Sequence, residues 1–136
     1  MKKIKGEVYL PGDKSISHRA ALFSSFLPEK AGFENFNFNN DCKASLKSLE
    51  KLGITWYLKN NILYIEGKSF AEWTQPGDDI DAQNSGTTAR LISGLLANLP
   101  FETQIIGDAS LSKRPMARII DPVSYTHLTL PTKRIV

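Results

Sequence analysis

Three times along its 136 residues the chain gathers small polar and basic side chains where a helix is predicted to begin. The first place is Asp13-Lys14-Ser15-Ile16-Ser17-His18-Arg19. The second is Asn84-Ser85-Gly86-Thr87-Thr88-Ala89-Arg90, and the third is Ser110-Leu111-Ser112-Lys113-Arg114-Pro115. A helix start leaves backbone N–H groups unsatisfied and carries the positive end of the helix dipole, so it favours an anion. Hydroxyls add short donors, Lys14 adds a mobile point charge, and Arg19 and Arg114 add forked donors suited to carboxylate or phosphate. Gly86 has no Cβ, which lets a ligand come close to the backbone. The plain alternative is that Ser15, Ser17 and Asn84 are helix caps and nothing more.

Between these places the hydrophobic pattern alternates in kind. Residues 3–10 read as a short strand ended by Pro11-Gly12. A helix over 15–27 stacks Ile16, Ala20, Phe23 and Leu27 on one face, widened by Ala21, Leu22 and Phe26, and is expected to be well buried. Residues 32–38 read as a strand. Asp41 is the expected N-cap of a second helix, whose apolar set is Cys42, Leu46, Leu49 and Leu52, with Gly53 as its stop. A hairpin follows, 54–58 and 62–66 around Asn60-Asn61, and then a looser connection over 67–78. A short strand at 79–82 leads to a helix over 85–99, striped by Thr88, Leu91, Ile92, Leu95, Leu96 and Leu99. Residues 101–106 read as a strand and 107–113 as a loop, and Pro115 suits the first position of a further helix. Mixed elements in this order predict an α/β (α+β) layer architecture.

Composition narrows the function. No apolar run approaches the ~20 residues of a membrane span, and the basic N-terminus is not followed by the apolar segment of a signal peptide. The expected location is the cytoplasm. One cysteine, Cys42, and two histidines, His18 and His127, argue against a metal enzyme of the usual kind. The net charge is +3. Setting aside residues 123–136, which hold Lys133 and Arg134 and no acid, leaves 15 basic against 14 acidic residues. A near-neutral body argues against nucleic acid and for a small anion. Neither a G-x-x-x-x-G-K-[ST] loop nor a G-x-G-x-x-G fingerprint after a strand is present, which argues against a nucleotide cofactor. His18, Cys42, Trp56, Trp73 and the Phe33, Phe36 and Phe38 group are expected to be packing residues.

Taken together and in order, Leu10 to Arg19, Asn84 to Arg90 and Gly107 to Met116 resemble the 3-phosphoshikimate 1-carboxyvinyltransferases, also called 5-enolpyruvylshikimate-3-phosphate synthases. The similarity spans residues 3–122. It implies a cofactor-free transfer of the enolpyruvyl (carboxyvinyl) group from phosphoenolpyruvate to the 5-hydroxyl of shikimate 3-phosphate, in chorismate and aromatic amino acid biosynthesis. By motif, Lys14 would touch both substrates, and Ser15 and Arg19 would hold shikimate 3-phosphate. Asn84, Gly86 and Thr87 would line the phosphoenolpyruvate phosphate pocket, with Arg114 on that phosphate. Lys14 and Arg114 would act electrostatically, since the family's acid and base groups come from a later part. The resemblance also implies a two-lobed monomer built from repeated β-α-β-α-β-β units, incomplete here and expected to lack turnover. Two departures stand out. Gln83 occupies a position where the family usually has Gly. Residues 123–136 do not resemble the family's continuation and read as translated adapter or vector sequence, a genuine variable tail being the alternative. The rival readings are an enolpyruvyl transferase acting on UDP-N-acetylglucosamine, and a non-catalytic anion- or RNA-binding module.

Overall fold

The computed structural model describes residues 3–128. Helix α1, Lys14–Ser25, opens on Asp13, whose carboxylate accepts from the Ile16 N–H at 2.8 Å. Neither Ser15 nor Ser17 is the cap. Strand β1, Lys30–Glu34, leads to α2, Asn40–Lys51, and the hairpin strands β2, Thr55–Lys59, and β3, Ile62–Glu66. These three strands form an antiparallel sheet in the order β1-β3-β2. Asn60 and Asn61 take φ of 51° and 62°, the left-handed pair that a two-residue hairpin turn requires.

A second, smaller unit follows. Strand β4, Ile80–Asp81, is parallel to β5, Ile105–Ile106, and α3, Gly86–Leu96, connects them. Helix α4, Ala117–Leu128, runs through Pro122, with Pro115 lying before its start rather than at its first position. The boundary expected at residue 122 therefore falls inside a helix, and residues 129–136 lie outside the described residues.

The main core joins both units. Leu46, Leu49, Leu52, Leu63, Ile65, Ile80 and Ile92 are buried in one cluster, with Phe36 and Trp73 among them. The apolar set expected of α2 is all inside, Cys42 included. Gly53 takes φ 89° just past Leu52, the left-handed turn that ends a helix. The α2 cap is Asn39, which accepts from the Cys42 N–H at 2.8 Å. That leaves Asp41 in the first turn, free to pair elsewhere.

Two expectations are corrected. Residues 3–10 form no strand. A strand needs a partner for its N–H and C=O groups, and among the described residues none runs alongside; Ile4 and Leu10 stand exposed. Helix α1 follows its expected apolar face only in part, burying Ala21 and Leu22 and packing Phe26 against the core. Ile16, Phe23 and Leu27 are exposed, while Ser17, His18, Ala21, Leu22, Ser24 and Ser25 face inward. The buried serines carry little penalty because each hydroxyl bonds back to its own helix or its cap. Ser17 Oγ donates to the Asp13 carbonyl at 2.8 Å, Ser24 Oγ to Ala20 at 2.8 Å and Ser25 Oγ to Leu22 at 2.6 Å.

Candidate functional site

The starts of α1 and α3 are tied together by a buried hydroxyl network. His18 of α1 is fully buried, and its Nδ1 lies 2.8 Å from Ser45 Oγ of α2. Ser45 Oγ is 2.9 Å from Thr88 Oγ1 of α3. Thr88 Oγ1 in turn lies 2.7 Å from the Ser85 hydroxyl and 3.2 Å from the Asp41 carbonyl. Ser85 is the α3 cap, accepting from the Thr88 N–H at 3.1 Å. Asn84, an expected cap candidate, is therefore released for another task.

At the mouth of this network, Lys14 pairs with Asp41. Ser15 and Arg19 are exposed on the first turns of α1. Asn84 bridges two charges. Its Nδ2 donates to Asp108 Oδ2 at 2.7 Å, and its Oδ1 accepts from Arg114 Nη2 at 2.9 Å. Asp108 also accepts from the Leu111 N–H at 2.7 Å. Those bonds, the backbone one foremost, hold its carboxyl below the usual aspartate value. Gly86 is buried at the first position of α3, and Thr87 is half-buried beside it. A Cβ on Gly86 would lie 2.6 Å from Arg90 Nη1 and 3.1 Å from Arg114 Nη1. The second and third motifs thus converge on one point, and the first reaches them through α2.

The loop before α3 gives a physical reason for the glycine that the resemblance leads one to expect at residue 83. Gln83 takes φ 54°, a left-handed conformation that glycine adopts without steric cost. Here the strained geometry is held from both sides. The Gln83 N–H donates to Asp81 Oδ1 at 2.8 Å, and its carbonyl accepts from the Asp108 N–H at 2.8 Å. This fixes Asp108, and through it Asn84 and Arg114.

Three contributors are not singled out by the sequence. Arg90 stands one helical turn after Gly86, a spacing that places both on one face. Asp41, the expected cap, is instead the partner of Lys14. Asp108 carries no signal beyond its place in the third motif. Cys42 is core as expected, its thiol pushed up to about 11 by burial, so it is no nucleophile at neutral pH.

His18 makes the network sensitive to acid. Burial, and next the Lys14 charge, lower its pKa from 6.5, with Asp41 opposing. The unfolded chain therefore binds more protons than the folded chain as pH falls below about 6.5, and stability declines in that window. Urea midpoints measured at pH 7.5 and 5.5 are expected to fall further for the natural chain than for His18→Gln. Equal losses in the two proteins would show that His18 does not carry the effect.

An α/β unit that sets two arginines beside a buried glycine at one helix start, with Lys14 at the start of another, is equipped to hold small anions. The sequence model described as EPSP synthase (3-phosphoshikimate 1-carboxyvinyltransferase) matches residues 1–127. Proteins named 3-phosphoshikimate 1-carboxyvinyltransferase from Desulfitobacterium hafniense and Oceanobacillus iheyensis are 44% and 40% identical over 123 and 130 residues. Those matches cover 90% and 96% of this chain but only 28% and 30% of the relatives. The structure of EPSP synthase from Acinetobacter baumannii superposes with a TM-score of 0.83 at 36% identity, over 88% of this chain and 27% of that one. The chain belongs to the EPSP synthase family. It spans less than a third of the length of these curated relatives.

Proposed function

We propose that this chain supplies one wall of the site in which an enolpyruvyl group passes from phosphoenolpyruvate to the 5-hydroxyl of shikimate 3-phosphate. The function is assigned to residues 1–122, acting without a cofactor in the cytoplasm as part of a two-lobed monomer. The observation that carries the reading is the meeting of Arg90 and Arg114 beside the Gly86 backbone. In the reaction, the hydroxyl attacks C2 of protonated phosphoenolpyruvate, and the tetrahedral adduct then expels inorganic phosphate. Arg114, held by Asn84, would grip the phosphate that becomes the leaving group. Gly86 and Thr87 would offer backbone N–H groups to it, and Lys14 would lie between the two substrates, exchanging Asp41 for an anionic ligand. Ser15 and Arg19 would hold the 3-phosphate of the acceptor. All of these groups position and stabilise charge; none moves a proton.

Amide NMR on the chain itself tests this. Phosphoenolpyruvate is expected to shift Gly86 and Thr87, and shikimate 3-phosphate to shift Ser15 through Arg19, with no phosphate released. Preference for UDP-N-acetylglucosamine over shikimate 3-phosphate would transfer the reading to the sugar-nucleotide enzyme. Tighter binding to a short RNA, falling steeply with salt, would replace it with a polyanion-binding module.

A further inference from the structure

His18 lies inside the first motif, is fully buried, and has no task in the proposed chemistry. Its two ring nitrogens are placed differently. Nδ1 lies 2.8 Å from Ser45 Oγ, while Nε2 is buried and meets no hydrogen-bond partner among the described residues. In a neutral imidazole one nitrogen carries the proton and the other a lone pair, and the neighbours decide which. Here the hydrogens of the network decide. Thr88 Oγ1 has a single hydrogen. It is aimed at Ser85 Oγ, 2.7 Å away, and at the Asp41 carbonyl, 3.2 Å away. Whichever of these takes the hydrogen, none is left for Ser45 Oγ at 2.9 Å. Ser45 therefore donates to Thr88. That spends the hydrogen of Ser45, makes its oxygen the acceptor toward His18, and puts the imidazole proton on Nδ1. Nε2 gives the same answer independently. A buried N–H without a partner is rarer than an under-satisfied acceptor, so the partnerless nitrogen is the one with the lone pair.

We propose that His18 is a positioning residue, held as the Nδ1–H tautomer at the head of a one-way donor relay that runs through Ser45 to Thr88. The relay links α1, α2 and α3. It sets the start of α1, with Lys14 and Ser15 one turn before His18, against the start of α3, with Gly86 and Thr87. What those two starts bind rests on the proposed function; the direction of the relay does not. With Nδ1 committed as a donor and Nε2 sealed in the interior, the ring neither takes a proton from a substrate nor gives one. A residue that places rather than reacts is replaceable by another side chain with an N–H at the same point. Asparagine meets that condition, because its Nδ2 stands as many bonds from Cα as histidine Nδ1. Leucine fills the space and offers no donor.

The relay is tested by NMR on the chain carrying isotope-labelled histidine, at pH 7.5, with His127→Gln separating the two histidine signals. A proton-bearing nitrogen at Nδ1 of His18 and a bare one at Nε2 are expected. A proton on Nε2 reverses the relay and overturns the proposal, and no variant at His18 has to fold for this to be seen. Positioning is tested by ligand titrations followed through the amides of Ser15, Gly86 and Thr87. His18→Leu is expected to weaken shikimate 3-phosphate and phosphoenolpyruvate binding together, by about fivefold, the worth of one hydrogen bond. His18→Asn is expected to recover most of that loss. Unchanged binding in a folded His18→Leu chain sinks the positioning role. Equal losses in the two variants do so as well, since ring volume and not the donor would then matter. If the natural chain binds both ligands but protonates Nε2, only this proposal fails. If neither ligand moves these amides in the natural chain, the proposed function fails, and the tautomer still decides the relay.

Discussion

Replacing Gly67 by alanine is expected to remove a large part of the chain's folding stability. Gly67 follows β3 directly and lies against the end of α1. A Cβ there would stand 2.0 Å from the Leu27 carbonyl oxygen and 2.1 Å from that of Ser24. Both obstacles are backbone, so no rotamer change relieves the clash. The two segments are also bonded to each other here. Gly67 N–H donates to the Glu29 carbonyl at 3.0 Å, and Lys68 N–H to Ser25 at 2.9 Å. Making room for a methyl would pull those bonds apart and lift α1 from the sheet. The cost is about 3 kcal/mol or more, a large part of the roughly 5–15 kcal/mol typical of a whole domain. Urea unfolding followed by circular dichroism measures it. Gly94→Ala is the control, because nothing lies within 4 Å of its Cβ position. In the last turn of α3 that change is expected to stabilise by about 0.5 kcal/mol. A Gly67→Ala protein as stable as the natural one would mean that the close approach of α1 and β3 is not required.

Thr88→Val is the second large expectation, about 2–3 kcal/mol of destabilisation from one lost hydroxyl. The two side chains share a shape, so packing stays and the polar group alone is removed. Thr88 is fully buried, and Ser45 Oγ, Ser85 Oγ and the Asp41 carbonyl all converge on its oxygen. Each would be left short of a partner in a place water does not reach. His18 would lose its indirect tie to α3, which runs through Ser45. Equilibrium unfolding gives the stability change. The chemical shifts of Ser85 and Gly86 would report the loosened helix start. A change below about 0.5 kcal/mol would mean that other groups take over the lost bonds of the network.

How much of this is legible beforehand depends on whether the information is local. The α2 stripe from Cys42 to Leu52 has a single apolar face, so its inward side is unambiguous. The Asn60-Asn61 turn and the Gly53 stop follow from which residues tolerate positive φ. Helix α1 offers two faces, one of large apolar residues and one of serines, His18, Ala21 and Leu22. The second is buried because its hydroxyls are satisfied within the helix and its polar groups meet Asn37 and Ser45, which periodicity cannot register. Residues 3–10 have the alternation of a strand, but pairing depends on a neighbour, and among the described residues none is present.

The site divides in the same way. Lys14, Ser15, Arg19, Asn84, Gly86, Thr87 and Arg114 are marked by residue type and by their place at helix starts. Arg90 lies within the second motif but is not marked, since nothing in a linear spacing says that two guanidinium groups will meet over one Cα.

The sequence by itself determined which segments are helical, which of their faces are plainly apolar, and which family's motifs the chain carries. Those depend on backbone conformation and composition within a few residues. Only the tertiary structure decided that Asp41 serves Lys14 and that Thr88 ties three helices together. It alone showed that Arg90 and Arg114 meet beside Gly86. Each depends on where side chains come to rest once the elements pack, and linear spacing does not carry that.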